Sequence, residues 1–378
     1  MKRYVACFFA YFTVACCVAL CSATPALAGG PYSCANAPLK YAGAGTITLN
    51  YDQGTLGGRS KAQADALVTQ AVSIWAAVPT ATVSLLRGND LPVDVTLANY
   101  ASYSQNYTDG LNPVVYDSDG SIIDSLFGVG AKSHLLGFAG SHYVGCQFTE
   151  GLAVINGWVS VTDTTLKVVM AHEVGHMIGL DHAQIDSHQG LTTSNYPLMY
   201  PVAYRNQLSL HEDEISAIST LYPDPTLTQT YGQLSGTFTQ VVGAGILGAN
   251  LWVTEKKSKK VFSVVSDYLK QNTGYFELML PSGTYTLHAE AIQKAYAGAS
   301  SVGPYARTAT APSFLSPLYV NGTAMTPLTL GNATPIQIAI SPGCTALASF
   351  RFDGTGSVSG NCHHSGSDIT PILLLLLD

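Results

Sequence analysis

The chain has 378 residues and a formal charge of −7, from 17 Lys and Arg against 24 Asp and Glu. Charged residues make up only 11% of it, against ~25% in an ordinary soluble domain, which leaves no basic face for nucleic acid. A hydrophobic fraction of 47% excludes a disordered chain, and no internal apolar run reaches the ~20 residues that span a bilayer.

The first 28 residues carry an export pattern. Lys2 and Arg3 precede an apolar stretch from Tyr4 to Leu20, and Ala26-Leu27-Ala28 supplies a small-x-small cleavage site. That order predicts a secretory signal peptide over residues 1–28, and a secreted or cell-envelope protein. Its removal takes the charge to −9 and leaves Cys34, Cys146, Cys344 and Cys362 of the eight cysteines. An even count in an oxidising compartment predicts two disulfides, with three connectivities open. Pairing Cys34 with Cys146 and Cys344 with Cys362 keeps each bridge inside one candidate domain.

Residues 29–45 are rich in Gly, Ala and Pro and read as an N-terminal tether. Thr46–Tyr51 alternates like a strand. Ser60 then opens an amphipathic helix, with Leu67, Val68, Ala71, Ile74, Trp75 and Val78 at helical spacing until Pro79 stops it. Short strands are expected at 82–86 and 93–97, then a polar loop over 100–124 and a Gly-rich stretch to about residue 151. A strand over 152–161 precedes a second helix from Asp163. A third helix spans about 210–222, with Ser209 and Glu212 in capping-box positions. Pro223-Asp224-Pro225 breaks it, so residues 224–230 read as a linker. Beyond it the texture is β, with turn signals at Asn272-Thr273-Gly274 and Pro281-Ser282-Gly283. The expected architecture is therefore an α+β domain over 46–223, an all-β region over 231–345 and a tail over 346–378.

Residues 172–182 read His-Glu-Val-Gly-His-Met-Ile-Gly-Leu-Asp-His. On the second helix, positions four apart share a face, so His172 and His176 can aim two imidazoles at one ion. Gly179 lets the chain turn sharply out of the helix, and His182 folds back as a third nitrogen donor. Three neutral imidazoles with one open position suit a catalytic Zn²⁺, which lowers the pKa of a bound water to about 7. Glu173, beside the first ligand, is placed to act as that water's general base and then to protonate the leaving amine.

This segment matches the zinc signature of the metzincin metallopeptidases. Leu198-Met199-Tyr200-Pro201 stands where those enzymes carry the Met-turn. Ala171-His172-Glu173, Asp213-Glu214-Ile215 and Leu221-Tyr222-Pro223 resemble the matrixin branch in particular. The resemblance covers about residues 45–223. It implies a zincin-like fold, with a twisted mixed sheet, an active-site helix and a substrate cleft along the sheet's edge strand. It also implies His172, His176 and His182 as ligands, Glu173 as base, and Met199 as an apolar floor. Tyr200 is not assigned as a ligand, because the position at which some relatives place a tyrosine is Pro201 here. Ala183 stands where matrixins usually have Ser, and no cysteine-switch motif lies in 29–45. Asp213 and Glu214 match an acidic pair that in matrixins can hold a new N-terminal ammonium, with a solvated helix face as the alternative.

Matrixins also carry structural zinc and calcium. His134 and His142 lie in the corresponding region without the family's ligand pattern. Asp117, Asp119 and Asp124 form a turn able to present oxygen ligands to Ca²⁺, or a plain turn. Residues 231–293 resemble the carboxypeptidase regulatory-like, transthyretin-like β-sandwich module through Leu234-Ser235-Gly236-Thr237, Thr273-Gly274-Tyr275-Phe276 and Pro281-Ser282-Gly283-Thr284-Tyr285. Gly243-Ala244-Gly245-Ile246-Leu247-Gly248 matches a dinucleotide fingerprint by letter, but a strand-like run follows it, so a β-loop is expected. Lys256, Lys257, Lys259 and Lys260 read as a solvated hairpin tip.

Together these features predict a secreted, monomeric zinc endopeptidase acting on proteins or peptides. The rival is a metzincin scaffold without activity that serves as a surface-binding protein through its C-terminal region. An intact Glu173 counts against that rival.

Overall fold

The computed structural model describes residues 31–43, 45–106, 108–183, 196–269, 271–291, 329–330, 334–351 and 356–362. The expected signal peptide, the segment between His182 and the Met-turn, and the Leu-rich C-terminus lie outside those residues. No helix among the described residues is long and apolar enough to cross a membrane.

The segment expected as a tether is instead built into the first domain. It forms three short strands: β1 (Ser33–Cys34), β2 (Ala37–Pro38) and β3 (Lys40–Tyr41). Ala35 and Asn36, both at positive φ, turn β1 back onto β2, as a two-residue hairpin requires. Leu39 and Tyr41 are buried in the core. Apolar side chains two apart, rather than glycine content, decide the fate of this segment.

β4 (Thr46–Tyr51) follows, then α1 (Lys61–Ala76), which starts at a capping box between Ser60 and Gln63. β5 (Ser84–Arg87) comes next, and no strand forms at 93–97. The stretch expected as loop contains α2 (Tyr100–Ser104), β6 (Pro113–Asp117) and α3 (Ser121–Phe127). β6 is buried at every position, and its Pro113-Val-Val-Tyr run carries no alternation to reveal a strand. The hairpin β7 (Gly137–Val144) and β8 (Gln147–Asn156) precedes α4 (Asp163–Met177), and α5 (Glu212–Leu221) closes the domain.

The sheet runs β3-β8-β6-β4-β5 with every neighbour parallel, and β7 lies antiparallel along the other edge of β8. It is a mixed sheet with few helices. One core joins it to the helices: Ile47, Leu49 and Tyr51 meet Leu67, Val68 and Trp75 of α1 and Leu166, Met170 and Val174 of α4. The indole of Trp75 donates to the carbonyl of Ala171 at 3.0 Å, fixing α4 against α1. Cys34 and Cys146 are joined in a disulfide.

After residue 223 the described residues form one 3-10 turn (Leu227–Gln229) and then strands. β9 (Tyr231–Thr239), β10 (Ala249–Glu255), β11 (Val261–Val265), β12 (Tyr275–Pro281) and β13 (Gly283–Ala291) come first. A small pair, β14 (Thr329–Leu330) and β15 (Thr334–Pro335), precedes β16 (Gln337–Ile340), β17 (Cys344–Arg351) and β18 (Gly356–Cys362). Two four-stranded sheets result, β11-β10-β13-β16 and β12-β9-β17-β18. Both contribute to one cluster, including Leu251, Val253 and Leu287 from the first and Phe238, Phe276 and Phe350 from the second. The boundary expected at residue 345 is therefore too early, since β17 pairs in parallel with β9 and β18 completes the sheet. Cys344 is disulfide-bonded and lies opposite Cys362 in the β17–β18 register. The Gly243–Gly248 segment is a loop between β9 and β10. At the β10–β11 turn, Lys260 is not purely solvated, because it pairs with Glu212 of α5 at 2.6 Å.

Candidate metal centre

α4 begins where the Thr162 hydroxyl accepts the Thr165 amide, and it ends in a glycine cap. Gly179 sits at φ +105, its amide donates to His176 O, and the Leu180 amide donates to Gly175 O. That pair of bonds is the Schellman arrangement, which turns a chain sharply off a helix. A side chain at Gly179 would meet Phe148 at 2.9 Å and Leu221 at 3.0 Å. The turn carries residue 182 back over the last turns of the helix.

The result is a triangle of imidazole nitrogens. His172 Nε2 and His176 Nε2 are 3.1 Å apart, His176 Nε2 and His182 Nε2 3.1 Å, and His172 Nε2 and His182 Nε2 3.2 Å. Nitrogens bound tetrahedrally to zinc at about 2.0–2.1 Å lie about 3.3 Å from one another, so this spacing fits one ion against all three. Two of the other ring nitrogens are occupied: His172 Nδ1 donates to Leu198 O at 2.7 Å and His176 Nδ1 to Leu180 O at 2.8 Å. These bonds place the proton on Nδ1 and the lone pair on Nε2, where a metal needs it. Burial holds His172 down to about 4 and His176 to about 3, and it keeps His182 well below the usual histidine range. All three imidazoles are therefore neutral at neutral pH. Among the described residues they form the one group able to hold a metal ion.

Glu173 follows the first of these histidines and is buried. Without a cation beside it, burial pushes its carboxyl up to about 8; a divalent ion nearby opposes that shift. A Cβ on Gly137, in edge strand β7, would lie 3.0 Å from Glu173 Oε1, so the backbone of β7 runs close beside the carboxylate.

Met199 is buried below the helix, and a methyl on Gly175 would collide with its sulphur. The Met-turn is tied in from two sides. Its carbonyl accepts the Ala183 amide at 2.8 Å, next to His182, so the Ala183 position is satisfied through its backbone. Its amide donates to Glu214 Oε1 at 3.0 Å.

Asp213 and Glu214 are neither solvated nor open to an ammonium. Asp213 accepts both the amide and the hydroxyl of Ser263 in β11, while Glu214 accepts the amides of Met199 and His211. The capping box of α5 is His211 with Glu214 rather than Ser209 with Glu212. Burial raises both carboxyls, and for Asp213 the neighbouring Glu214 adds to the rise.

The three aspartates expected around calcium are not gathered into a metal group. Asp117 takes the amides of Ile122 and Ile123, Asp119 that of Ser121, and Asp124 those of Gly130 and Lys132. Each caps its own turn. His134 is exposed, and His142 bonds to Ser104 O through Nε2; neither joins a metal group.

Residues 47–223 match the family model for matrixin. The chain carries a matrixin domain. No curated protein matches the chain. The matched residues contain the whole histidine triangle, Glu173, the Met-turn and α5, and the family with its three-histidine site supports a zinc metallopeptidase. Sequence reasoning missed Tyr32, whose hydroxyl lies 3.1 Å from His176 Nδ1. It also missed the carbonyls of Leu180 and Leu198 and the hold of Glu214 on Met199. The nearby Cys34, the partner of Cys146, was the one sequence signal that residue 32 is anchored.

Proposed function

We propose that the protein is a secreted zinc endopeptidase that hydrolyses peptide bonds in protein substrates. The observation that carries this reading is the triangle of Nε2 atoms at 3.1 to 3.2 Å with buried Glu173 beside it and edge strand β7 alongside. Export is supported by the Lys2-Arg3 start, the apolar stretch and the Ala26-Leu27-Ala28 site. The Cys34–Cys146 bridge, a bond typical of oxidising compartments, supports it too.

Bound at His172, His176 and His182, zinc supplies Lewis acidity and a lowered pKa for water. The chain's own residues do the rest. The three histidines stay neutral because they are buried, and the Nδ1 bonds of His172 and His176 keep those two rings from turning away. β7 pairs only with β8 among the described strands, and open space faces Gly140. An extended substrate adds to this free edge through backbone hydrogen bonds. Glu173, close to that strand, removes a proton from the attacking water and returns it to the departing amine. We assign the two C-terminal sheets to a transthyretin-like sandwich that acts as a structural module docked on α5, supported by their shared core.

The test is Glu173→Gln, which keeps the side chain's shape and removes the base. The expected variant binds zinc as the wild type does and loses about 10²–10⁴ of its kcat on a mixed peptide library. Turnover at the wild-type rate would refute the assignment of the base, and cutting that survives zinc chelation would refute the metal.

A further inference from the structure

Residues 31–41 do more than cover the domain. Pro31 forms a bridge with Leu180, and the Tyr32 amide donates to Gly179 O at 2.9 Å. These contacts fall on Gly179 and Leu180, two of the four residues between α4 and the third histidine. Leu180 also supplies the carbonyl that accepts from His176 Nδ1, so the strap grips the group that orients a candidate ligand. Tyr32 then places its hydroxyl 3.1 Å from the same Nδ1. Its ring packs edge-on against Phe148 with centroids 6.4 Å apart, which fixes where the hydroxyl points.

The strap is fastened along its length. The Cys34–Cys146 disulfide joins it to the tip of the β7–β8 hairpin. The Leu39 amide donates to Tyr32 O at 2.6 Å, and β3 pairs with β8. The Tyr222 hydroxyl accepts the Tyr41 amide at 3.1 Å while donating to Ile178 O at 3.0 Å, which ties the strap to the end of α4 a second time.

We propose that Tyr32 is a positioning residue of the metal centre, its hydroxyl sharing with the Leu180 carbonyl the Nδ1–H of His176, and that the Cys34–Cys146 bridge holds it there. The inference rests on the reading of the histidine triangle as a zinc site. His172 has one Nδ1 acceptor, at 2.7 Å, whereas His176 has two, at 2.8 and 3.1 Å. Acceptors behind a metal-bound histidine fix its tautomer and orientation and raise its basicity, and losing one costs about 10–100-fold in metal affinity. Tyr32 therefore acts on metal retention through His176 without touching substrate.

The experiment measures zinc affinity of the full secreted chain by competition with a colorimetric chelator, and the visible spectrum of the Co²⁺-substituted protein. Tyr32→Phe keeps the ring against Phe148 and deletes only the hydroxyl. It should bind zinc about 10-fold or more weakly and shift the Co²⁺ bands, with the metal-free melting temperature unchanged. The Cys34→Ser/Cys146→Ser variant should weaken zinc in the same direction. Adding Tyr32→Phe to it should cost less than it does in the wild type, because the bridge acts through that tyrosine. Wild-type zinc affinity with an unshifted Co²⁺ spectrum in Tyr32→Phe would overturn the proposal. So would full additivity of the two changes. A wild-type chain that binds no zinc would overturn the zinc reading itself, and with it this inference. That outcome is distinguished by appearing in the parent protein rather than in a difference between variants.

Discussion

Glu214 is the residue through which α5 reaches the metal centre, and its removal tests that connection. The carboxylate is 2% exposed and accepts the Met199 amide at 3.0 Å and the His211 amide at 2.8 Å; the Leu198 amide also donates to it. Glu214→Ala leaves the Met199 and Leu198 amides without their acceptor in the interior, at about 1–3 kcal/mol each. Relief of a buried carboxyl that burial itself disfavours offsets part of that cost. A net loss of about 3 kcal/mol corresponds to about 6–12 °C in Tm for a domain of this size. Glu214→Gln keeps one acceptor oxygen and should lose about half as much. The assay is thermal unfolding of the metal-free protein with zinc affinity measured beside it. Affinity should fall as well, because Leu198 O is the acceptor for His172 Nδ1. An alanine variant that melts and binds zinc like the wild type would show that the Met-turn holds itself in place, and the reasoning would fail.

Three further outcomes follow from packing and burial. Asp213→Asn weakens the bond of α5 to Ser263 in β11; limited proteolysis should then cut faster within 224–230, and an unchanged cleavage rate would count against a held junction. Gly175→Ala pushes a methyl into the Met199 sulphur and to 2.9 Å from Trp75 Cζ2, and it should cost about 1–3 kcal/mol of stability in urea unfolding; an unchanged midpoint would mean that the floor yields. His288, stacked on Trp252 at 4.7 Å, is held down to about 4 by burial, below its unfolded value of about 6.5. The unfolded chain thus binds the extra proton first, so this contribution to stability is present above about pH 6.5 and is lost as pH falls towards 4. Urea midpoints at pH 7 and pH 5 should differ less in His288→Phe than in the wild type, and equal differences would refute the assignment.

The histidine triangle was legible because its information is local. Two histidines four apart on a helix, a glycine that caps it and a third histidine three residues on can be read from eleven letters, and Gly179 at φ +105 is where those letters require a turn. Helix α1 was legible for the same reason, through its periodicity and the cap at Ser60, and the start of α4 was read at Asp163. β6 was not, since strand and buried loop share an unalternating apolar run. The 29–45 segment misled because its glycine and alanine content describes the unfolded chain, while Leu39, Tyr41 and the Cys34 bridge decide what it does once folded. Of the two readings of the aspartate turn, calcium ligands or a plain turn, the contacts support the second. Asp117, Asp119 and Asp124 have the letters of an ion site, and together they accept five backbone amides, as capping residues of plain turns do.

What the letters could not show is how the ligands are aimed. His172 and His176 are oriented by main-chain carbonyls at Leu198 and Leu180, and any residue type supplies a carbonyl. The specificity is displaced one step outward, onto the side chains and strands that fix those two peptide groups. For Leu198 that is Glu214, some fifteen residues downstream on α5. For Leu180 it is the strap at residues 31–32, about 150 residues upstream and bolted to the β7–β8 hairpin. One ligand is thus steadied from the helix on which the C-terminal sheets dock, and the other from the N-terminal segment. A metal centre steadied in this way responds to changes at either end of the domain while its three histidines stay untouched.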